Sequence, residues 1–255
     1  SLSTGRAAGR GATMLGMQPP AAPPPAVLAA WGLASAAARP LGSGLINRTW
    51  SVSAAQGEFV LQEVNPLFPP GIHADIRAVT AHLKARGMVT PELVPTTGGQ
   101  WCMAHGGHWW RLLTRVPGAS HERLADPAQA RAAGALLARF HGALRDLRHD
   151  FGNPRLGVHD TPRHLERLHA ALAGGRDHPE YPAVRPLADD ILAMAAALPT
   201  LPATPERVVH GDPKVNNILF DASGTQAVCL VDLDTLGPRA LPLELGGAFR
   251  SWCNP

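Results

Sequence analysis

Two segments near the carboxyl end constrain this chain more than anything else in its 255 residues. The first is Val208-Val209-His210-Gly211-Asp212-Pro213-Lys214-Val215-Asn216-Asn217-Ile218-Leu219-Phe220. The second is Val228-Cys229-Leu230-Val231-Asp232-Leu233-Asp234-Thr235. An acidic residue is followed five positions later by an asparagine, and then by an apolar strand that runs into a carboxylate. Alone, an Asp or Asn in a loop reads as a turn former. Together, at these spacings, they supply what phosphoryl transfer demands of a protein. Asp212 fits the acceptor for a hydroxyl proton, and Asn217 and Asp232 fit the amide and carboxylate oxygens that hold a Mg²⁺ bridging phosphates. Lys214 is suited to neutralising charge on the transferring group. Asp234 reads evenly as a second metal contact or a solvated strand-end residue. His210 belongs to the same catalytic loop, where bracing by hydrogen bonds is favoured over acid–base chemistry.

The rest of the chain gives these loops a scaffold. Residues 1–25 mix Gly, Ala and Arg with the proline cluster Pro19, Pro20, Pro23, Pro24 and Pro25, can bury little, and read as a disordered tail. An Ala/Leu pattern with Trp31 predicts a helix from Val27 to Ala38. Two β-rich runs, Asn47–Ala54 and Glu58–Val64, predict a hairpin turning at Gln56–Gly57. Ile72, Ile76, Val79 and Leu83 recur at helical spacing, with Gly87 as the stop. Trp101–Ala104 and Trp109–Thr114 predict a second strand pair across Gly106–Gly107. Residues 26–114 thus form a small β-rich lobe. Residues 115–255 form a larger helical one, opening on a helix that Asp126 caps, with Pro127 in its first turn, and that continues to Leu144. Further helices are expected at Thr161–Leu172 and Ala183–Leu198, and short strands at Arg207–His210, Ile218–Phe220 and Ala227–Val231. The fold class is α+β.

Composition excludes several other classes. Hydrophobic residues are 45% and charged residues 17%, which is ordinary for a globular chain. The net charge is only +3, with no Lys/Arg block to track a nucleic acid. No apolar run approaches the roughly 20 residues of a membrane span. Three scattered cysteines, Cys102, Cys229 and Cys253, are poor material for a disulfide framework and suit a reducing cytoplasm. His105-Gly-Gly-His108 has no Cys, His or Asp companion at ligand spacing, so it reads as a turn rather than a metal site.

The pattern His210-x-Asp212-(x)4-Asn217 followed by Asp232 resembles the motif of the aminoglycoside phosphotransferase and choline kinase superfamily. The fuller run, with Lys214 and then Asp232-Leu-Asp-Thr, is most similar to its N-acetylhexosamine 1-kinase branch. Gly42-Ser43-Gly44-Leu45-Ile46-Asn47-Arg48-Thr49-Trp50 resembles the nucleotide loop of that branch, and Val60-Leu61-Gln62-Glu63-Val64-Asn65 its following strand. The resemblance implies a two-lobed, protein-kinase-like fold that binds ATP with Mg²⁺. It also implies transfer of the γ-phosphate to an alcohol group of a small molecule, most readily a sugar such as an N-acetylhexosamine. An aminoglycoside or amino-alcohol acceptor, and a catalytically weak nucleotide-binding protein, stay open as alternatives. By the same resemblance Gly42, Ser43, Gly44, Asn47 and Gln62 belong to the nucleotide site, and the backbone of Arg115 and Val116 to an adenine-binding hinge.

Two departures stand out. Kinases commonly place a Lys on the third strand, paired with a helix Glu. Here that position carries Gln62, and the following helix offers Asp75, so Arg48 or Lys214 would have to supply the missing charge. In Leu243-Glu244-Leu245-Gly246-Gly247-Ala248-Phe249-Arg250, Glu244 and Arg250 remain while Gly247 stands where an acidic residue is expected. Relatives also continue past the position of Pro255 with helices that shape the acceptor pocket, which implies an incomplete larger lobe.

Overall fold

The computed structural model describes residues 21–42, 46–152, 160–199 and 203–253. Strand β1 (Ala37–Pro40) pairs antiparallel with β2 (Arg48–Ala54), and β2 with β3 (Gly57–Val64). Next in the sheet is β6 (His108–Thr114), which also pairs with β4 (Leu93–Val94) and β5 (Met103–His105). The whole six-stranded sheet is antiparallel. Both anticipated hairpins are present, one turning at Ala55–Gln56 and the other at Gly106–Gly107.

Alternation along each strand gives the sheet two chemically different faces. Trp50, Leu61, Trp110 and Leu112 lie on one face and pack with Val27, Leu28, Trp31 and Leu33 in an outer core. Trp50 and Trp110 stack there at 5.4 Å. Thr49, Gln62 and Arg111 are cross-strand partners and share the opposite face, which looks toward the larger lobe.

The helix anticipated from Val27 to Ala38 is a correction. Helix α1 covers only Pro25–Ala29, so its first residue also moves the fold's start into the expected tail, and Ala37–Pro40 is an edge strand. Alanine's helix preference is worth at most about 0.7 kcal/mol per residue. It yields here to pairing with β2 and to Trp31, which is buried and donates its indole N–H to the Val94 carbonyl at 2.8 Å. Pro40 is tolerated because β1 lies at the sheet edge.

Helix α2 (Ile72–Ala85) turns Ile72, Ile76, Val79 and Leu83 into a second core, shared with Leu136, Leu137 and Phe140 of α3 (Pro127–Ala143). Asp126 caps α3 as expected, accepting from the amides of Ala128 and Gln129 at 2.8 Å each. Ile218 and Phe220 complete this core from β8 (Ile218–Phe220), which pairs with β9 (Ala227–Leu230). Helices α4 (Thr161–Gly174) and α5 (Tyr181–Ala197) follow α3. Strand β7 (Glu206–Val209) pairs with β10 (Gly237–Ala240), and α6 (Leu241–Trp252) closes the described chain. Neither β10 nor α6 was anticipated. Among the described residues no helix is long and apolar enough to cross a membrane.

Candidate active site

The loop between β7 and β8 carries the first motif, and five hydrogen bonds fix its shape. The amides of His210 and Gly211 donate to the two carboxylate oxygens of Glu244 at 3.0 and 2.9 Å. The Nε2–H of His210 donates to the Val231 carbonyl at 2.9 Å, which leaves Nδ1 to accept from the Asp212 amide at 3.3 Å. Thr235 Oγ1 donates to the His210 carbonyl at 2.8 Å. His210 is fully buried, and both ring nitrogens are engaged in holding the loop. Gly211 has φ +86°, and a Cβ there would run into the Thr235 carbonyl, so this close approach admits only glycine.

Past this clamp the side chains open toward solvent. Lys214 Nζ lies 2.7 Å from Asp212 Oδ2 and 4.0 Å from Asp232 Oδ2. These side chains are 34%, 31% and 36% exposed. Asn217 sits beneath them, its amide nitrogen donating to the Asp212 carbonyl at 2.8 Å. That contact occupies the amide nitrogen, so the amide oxygen is the atom that could face a cation. Asp232 has φ +64° and is the only described residue other than glycine with positive φ. Such a backbone costs about 1–3 kcal/mol and persists where surrounding structure enforces it, commonly at functional sites. Burial first, and the charge of Asp234 second, push the Asp232 carboxyl up, against the pull of Lys214 and Arg111. A hard dication suits this donor set of one carboxylate and one amide oxygen, provided phosphate oxygens and water supply the remaining ligands. Among the described residues no group of three His, Cys, Asp or Glu could hold a metal alone.

Several expected site residues have other partners. Asp234 is buried, with one carboxylate oxygen on Arg111 Nη1 and the other on Arg111 Nη2 at 2.9 Å and on Asn47 Nδ2 at 2.6 Å. Burial alone would raise its carboxyl, but the Arg111 charge and these hydrogen bonds hold it below the usual carboxylate range. Asn47 also accepts from the Asn65 amide at 2.9 Å. Gln62 accepts from Arg111 Nε at 2.8 Å and donates to Thr49 Oγ1 at 3.3 Å. Arg48 pairs with Glu63 at 3.1 Å, and Asp75 with His149 at 2.8 Å. Gly42 has φ +70°, whereas Ser43 and Gly44 lie outside the described residues.

Past β6 the Arg115 amide donates to the Glu58 carbonyl at 3.2 Å, so that amide is already engaged. The strap continues to Ala119, which exchanges two backbone hydrogen bonds with Phe220 at 2.8 and 2.9 Å. Gly118, φ +145°, permits that approach, since a Cβ would meet the Phe220 carbonyl at 2.8 Å.

Sequence reasoning missed two residues at this site. Glu244 was visible as a motif residue but not as the clamp of the catalytic loop. Arg111 is a lone charge in the otherwise apolar run Trp109-Trp110-Arg111-Leu112-Leu113, and that isolation was the available signal.

A six-stranded antiparallel sheet above a helical lobe, with this loop pair between them, defines an α+β, two-lobed, protein-kinase-like fold. The chain belongs to the APH family, described as the phosphotransferase enzyme family, whose model matches residues 37–255. The fold is similar to that of amicoumacin kinase hAmiN in complex with AMP-PNP, Ca²⁺ and Ami, at TM-score 0.59 and 14% identity. That match covers 84% of this chain, which spans 63% of the length of hAmiN. A microcompartment-associated aminopropanol kinase matches at TM-score 0.60 and 19% identity, over 88% of this chain and 72% of its own. An aminoglycoside phosphotransferase from Alicyclobacillus acidocaldarius matches at 0.58 and 18%, over 92% and 72%.

Proposed function

We propose that this chain transfers the γ-phosphate of ATP to a hydroxyl group of a small molecule, with Mg²⁺ held by Asn217 and Asp232. The carrying observation is the half-exposed cluster of Asp212, Lys214 and Asp232, with Asp232 held in a left-handed backbone over a rigidly clamped loop. Asp212 orients the acceptor hydroxyl and takes its proton as the oxygen attacks the γ-phosphorus. The bond from that phosphorus to the β–γ bridging oxygen breaks, and ADP leaves. Lys214, between the two carboxylates, holds positive charge beside the transferring group. A divalent metal held by Asn217 and Asp232 would supply positive charge to offset that of the phosphate oxygens. Positioning and electrostatics provide most of the acceleration in such a reaction. The nucleotide enters between the lobes, which meet after Thr114, with the Arg115–Val116 backbone toward the base.

For the acceptor, a neutral sugar such as an N-acetylhexosamine is favoured over a cationic amino alcohol or aminoglycoside. Recognising an amine requires free carboxylates near the base. Glu244 has both oxygens engaged by backbone amides, and Asp234 has both engaged by Arg111. A panel of N-acetylhexosamines, aminoglycosides and amino alcohols, read by ADP release with Mg·ATP, tests the reading. Turnover with a sugar that EDTA abolishes supports it. Turnover confined to amine-bearing acceptors refutes the sugar assignment, and no acceptor-dependent ADP release across the panel refutes the activity.

A further inference from the structure

Arg111 is the most deeply buried cation of the site. Its side chain is 2% exposed and that of its partner Asp234 is 1% exposed. The pair joins parts of the chain 123 positions apart in sequence. Arg111 belongs to the sheet, and Asp234 lies two residues past Asp232 in the turn that carries the proposed metal ligand. Asn47, the residue before strand β2, donates to the same carboxylate and is itself held by the Asn65 amide. The third guanidinium donor, Nε–H, goes to the Gln62 side-chain oxygen, and the Gln62 nitrogen is anchored on Thr49. Arg111 and Asp234 together therefore tie strands β2, β3 and β6, and Asn47 just before β2, to the turn that carries Asp232.

This arrangement accounts for the departure at position 62. A lysine there offers no acceptor for the Arg111 Nε–H and places a second ammonium charge beside a buried guanidinium, where like charges repel strongly. The helix also carries no acid in this network. His73 is 3% exposed, with Nδ1 donating to the Pro70 carbonyl at 2.7 Å, and burial together with the Arg111 charge lowers its pKa. A neutral imidazole leaves Arg111 to Asp234 alone.

We propose that Arg111 is the positioning residue of this site: its bidentate pairing with Asp234, shared by Asn47, locks the metal turn to the nucleotide-covering sheet, and Gln62 is neutral because Arg111 already holds the one buried cation this face accommodates. The inference rests on the kinase reading for what the metal turn does, but the charge arrangement is testable without it. Arg111 does not touch phosphate, and its effect passes through the placement of Asp232.

The experiment uses the whole 255-residue chain. ATP is titrated by calorimetry with and without Mg²⁺ into wild type, Arg111→Leu, Arg111→Lys, Gln62→Lys and the double variant Gln62→Lys/Arg111→Gln. Thermal unfolding without nucleotide is recorded for each. In folded Arg111→Leu, the affinity gained on adding Mg²⁺ falls by at least about tenfold, equivalent to 1.4 kcal/mol, while metal-free affinity changes less. Arg111→Lys recovers part of the gain. Gln62→Lys alone lowers the unfolding midpoint by at least about 5 °C, and adding Arg111→Gln restores it by moving the single cation to the neighbouring strand. The proposal is overturned if folded Arg111→Leu keeps the wild-type Mg²⁺ gain. It is equally overturned if Gln62→Lys is as stable as wild type, or if the double variant is no more stable than Gln62→Lys. Should Arg111→Leu fail to fold, the two Gln62→Lys variants decide. A wild type that binds no ATP sinks the kinase reading, and the midpoint pattern still decides whether this face holds a single cation.

Discussion

Replacing Glu244 with glutamine separates the charge of the catalytic-loop clamp from its shape. Glu244 is 3% exposed and accepts amide hydrogens from His210 at 3.0 Å and Gly211 at 2.9 Å, with His141 Nε2 at 3.4 Å from the same carboxylate. Burial alone would push its carboxyl up. The hydrogen bond from His141 and those from the two amides overturn that and leave it below the usual glutamate range. In Glu244→Gln one oxygen survives, while an amide N–H₂ faces a backbone N–H and one charge-assisted hydrogen bond is lost. Hydrogen bonds to charged groups are worth about 1.5–3 kcal/mol, and the orphaned donor adds about 1–3 more, so a loss of roughly 3 kcal/mol at neutral pH is expected. The pH dependence identifies the charge as the cause. A carboxyl with a lowered folded-state pKa contributes stability above its unfolded value of 4.5, and that contribution is lost as pH falls through the lower folded value. Urea denaturation of both proteins from pH 7 downward should therefore show a gap that is widest at pH 7 and narrows below the ordinary glutamate range. A gap absent at pH 7, or unchanged with pH, would refute the clamp.

Asp212→Ala should leave Mg·ATP affinity nearly intact and cut turnover on the true acceptor by at least about 10²-fold, since a positioned base contributes about 10²–10⁴. Calorimetry and ADP release measure the two quantities separately, and near-full turnover would remove Asp212 from the mechanism. Asp232→Asn and Asp234→Asn should divide: the first abolishes the Mg²⁺ dependence of ATP binding without lowering the unfolding midpoint, because asparagine tolerates the left-handed backbone. The second costs about 3–5 kcal/mol by leaving Arg111 buried without its counter-charge, and equal midpoints for the two variants would contradict this division. Cys229, buried and with its thiol pushed up to about 12 by burial, should resist a disulfide reagent at pH 8 until the chain unfolds, while exposed Cys253 reacts at once. Mass spectrometry of the labelled sites reads both.

What was legible in the sequence is what short-range chemistry determines. The Asp126 cap, the helical spacing of Ile72 to Leu83, both hairpins and the Asp212-to-Asn217 loop each lie within about twenty residues of chain. The misreadings involve longer reach. Ala37–Pro40 has a helical composition and becomes a strand because β2 offers an edge. The two-residue β4 is too short to have a period, and β10 exists only as a partner for β7. Arg111 lies 123 positions from Asp234, and Asn47 lies 187 from it. No local pattern announces such pairs. Asp234 reads from sequence as a second metal contact or a solvated strand end because its sequence neighbours are the Asp232 turn, and its burial against Arg111 and Asn47 is set by residues far along the chain.

The charges of the site divide by burial, and the division explains how a reactive cluster can be kept open without becoming loose. Glu244 and the Arg111–Asp234 pair have almost no exposure, and each binds backbone or side chains from another element. Their removal leaves a buried group unsatisfied, so their effects are felt first in stability. Asp212, Lys214 and Asp232 are about a third exposed, and their mutual contacts are few. Exposed ion pairs are worth at most about 1 kcal/mol, so this cluster can exchange partners when a nucleotide arrives. Rigidity is supplied one layer below the reacting groups. Glu244 holds the loop of Asp212 from the side of α6, and Arg111 holds the turn of Asp232 from the sheet. The separation of Asp212, the proposed proton acceptor, from Asp232, the proposed metal ligand, is therefore set jointly by both clamps, and a change in either acts on one carboxylate without touching it.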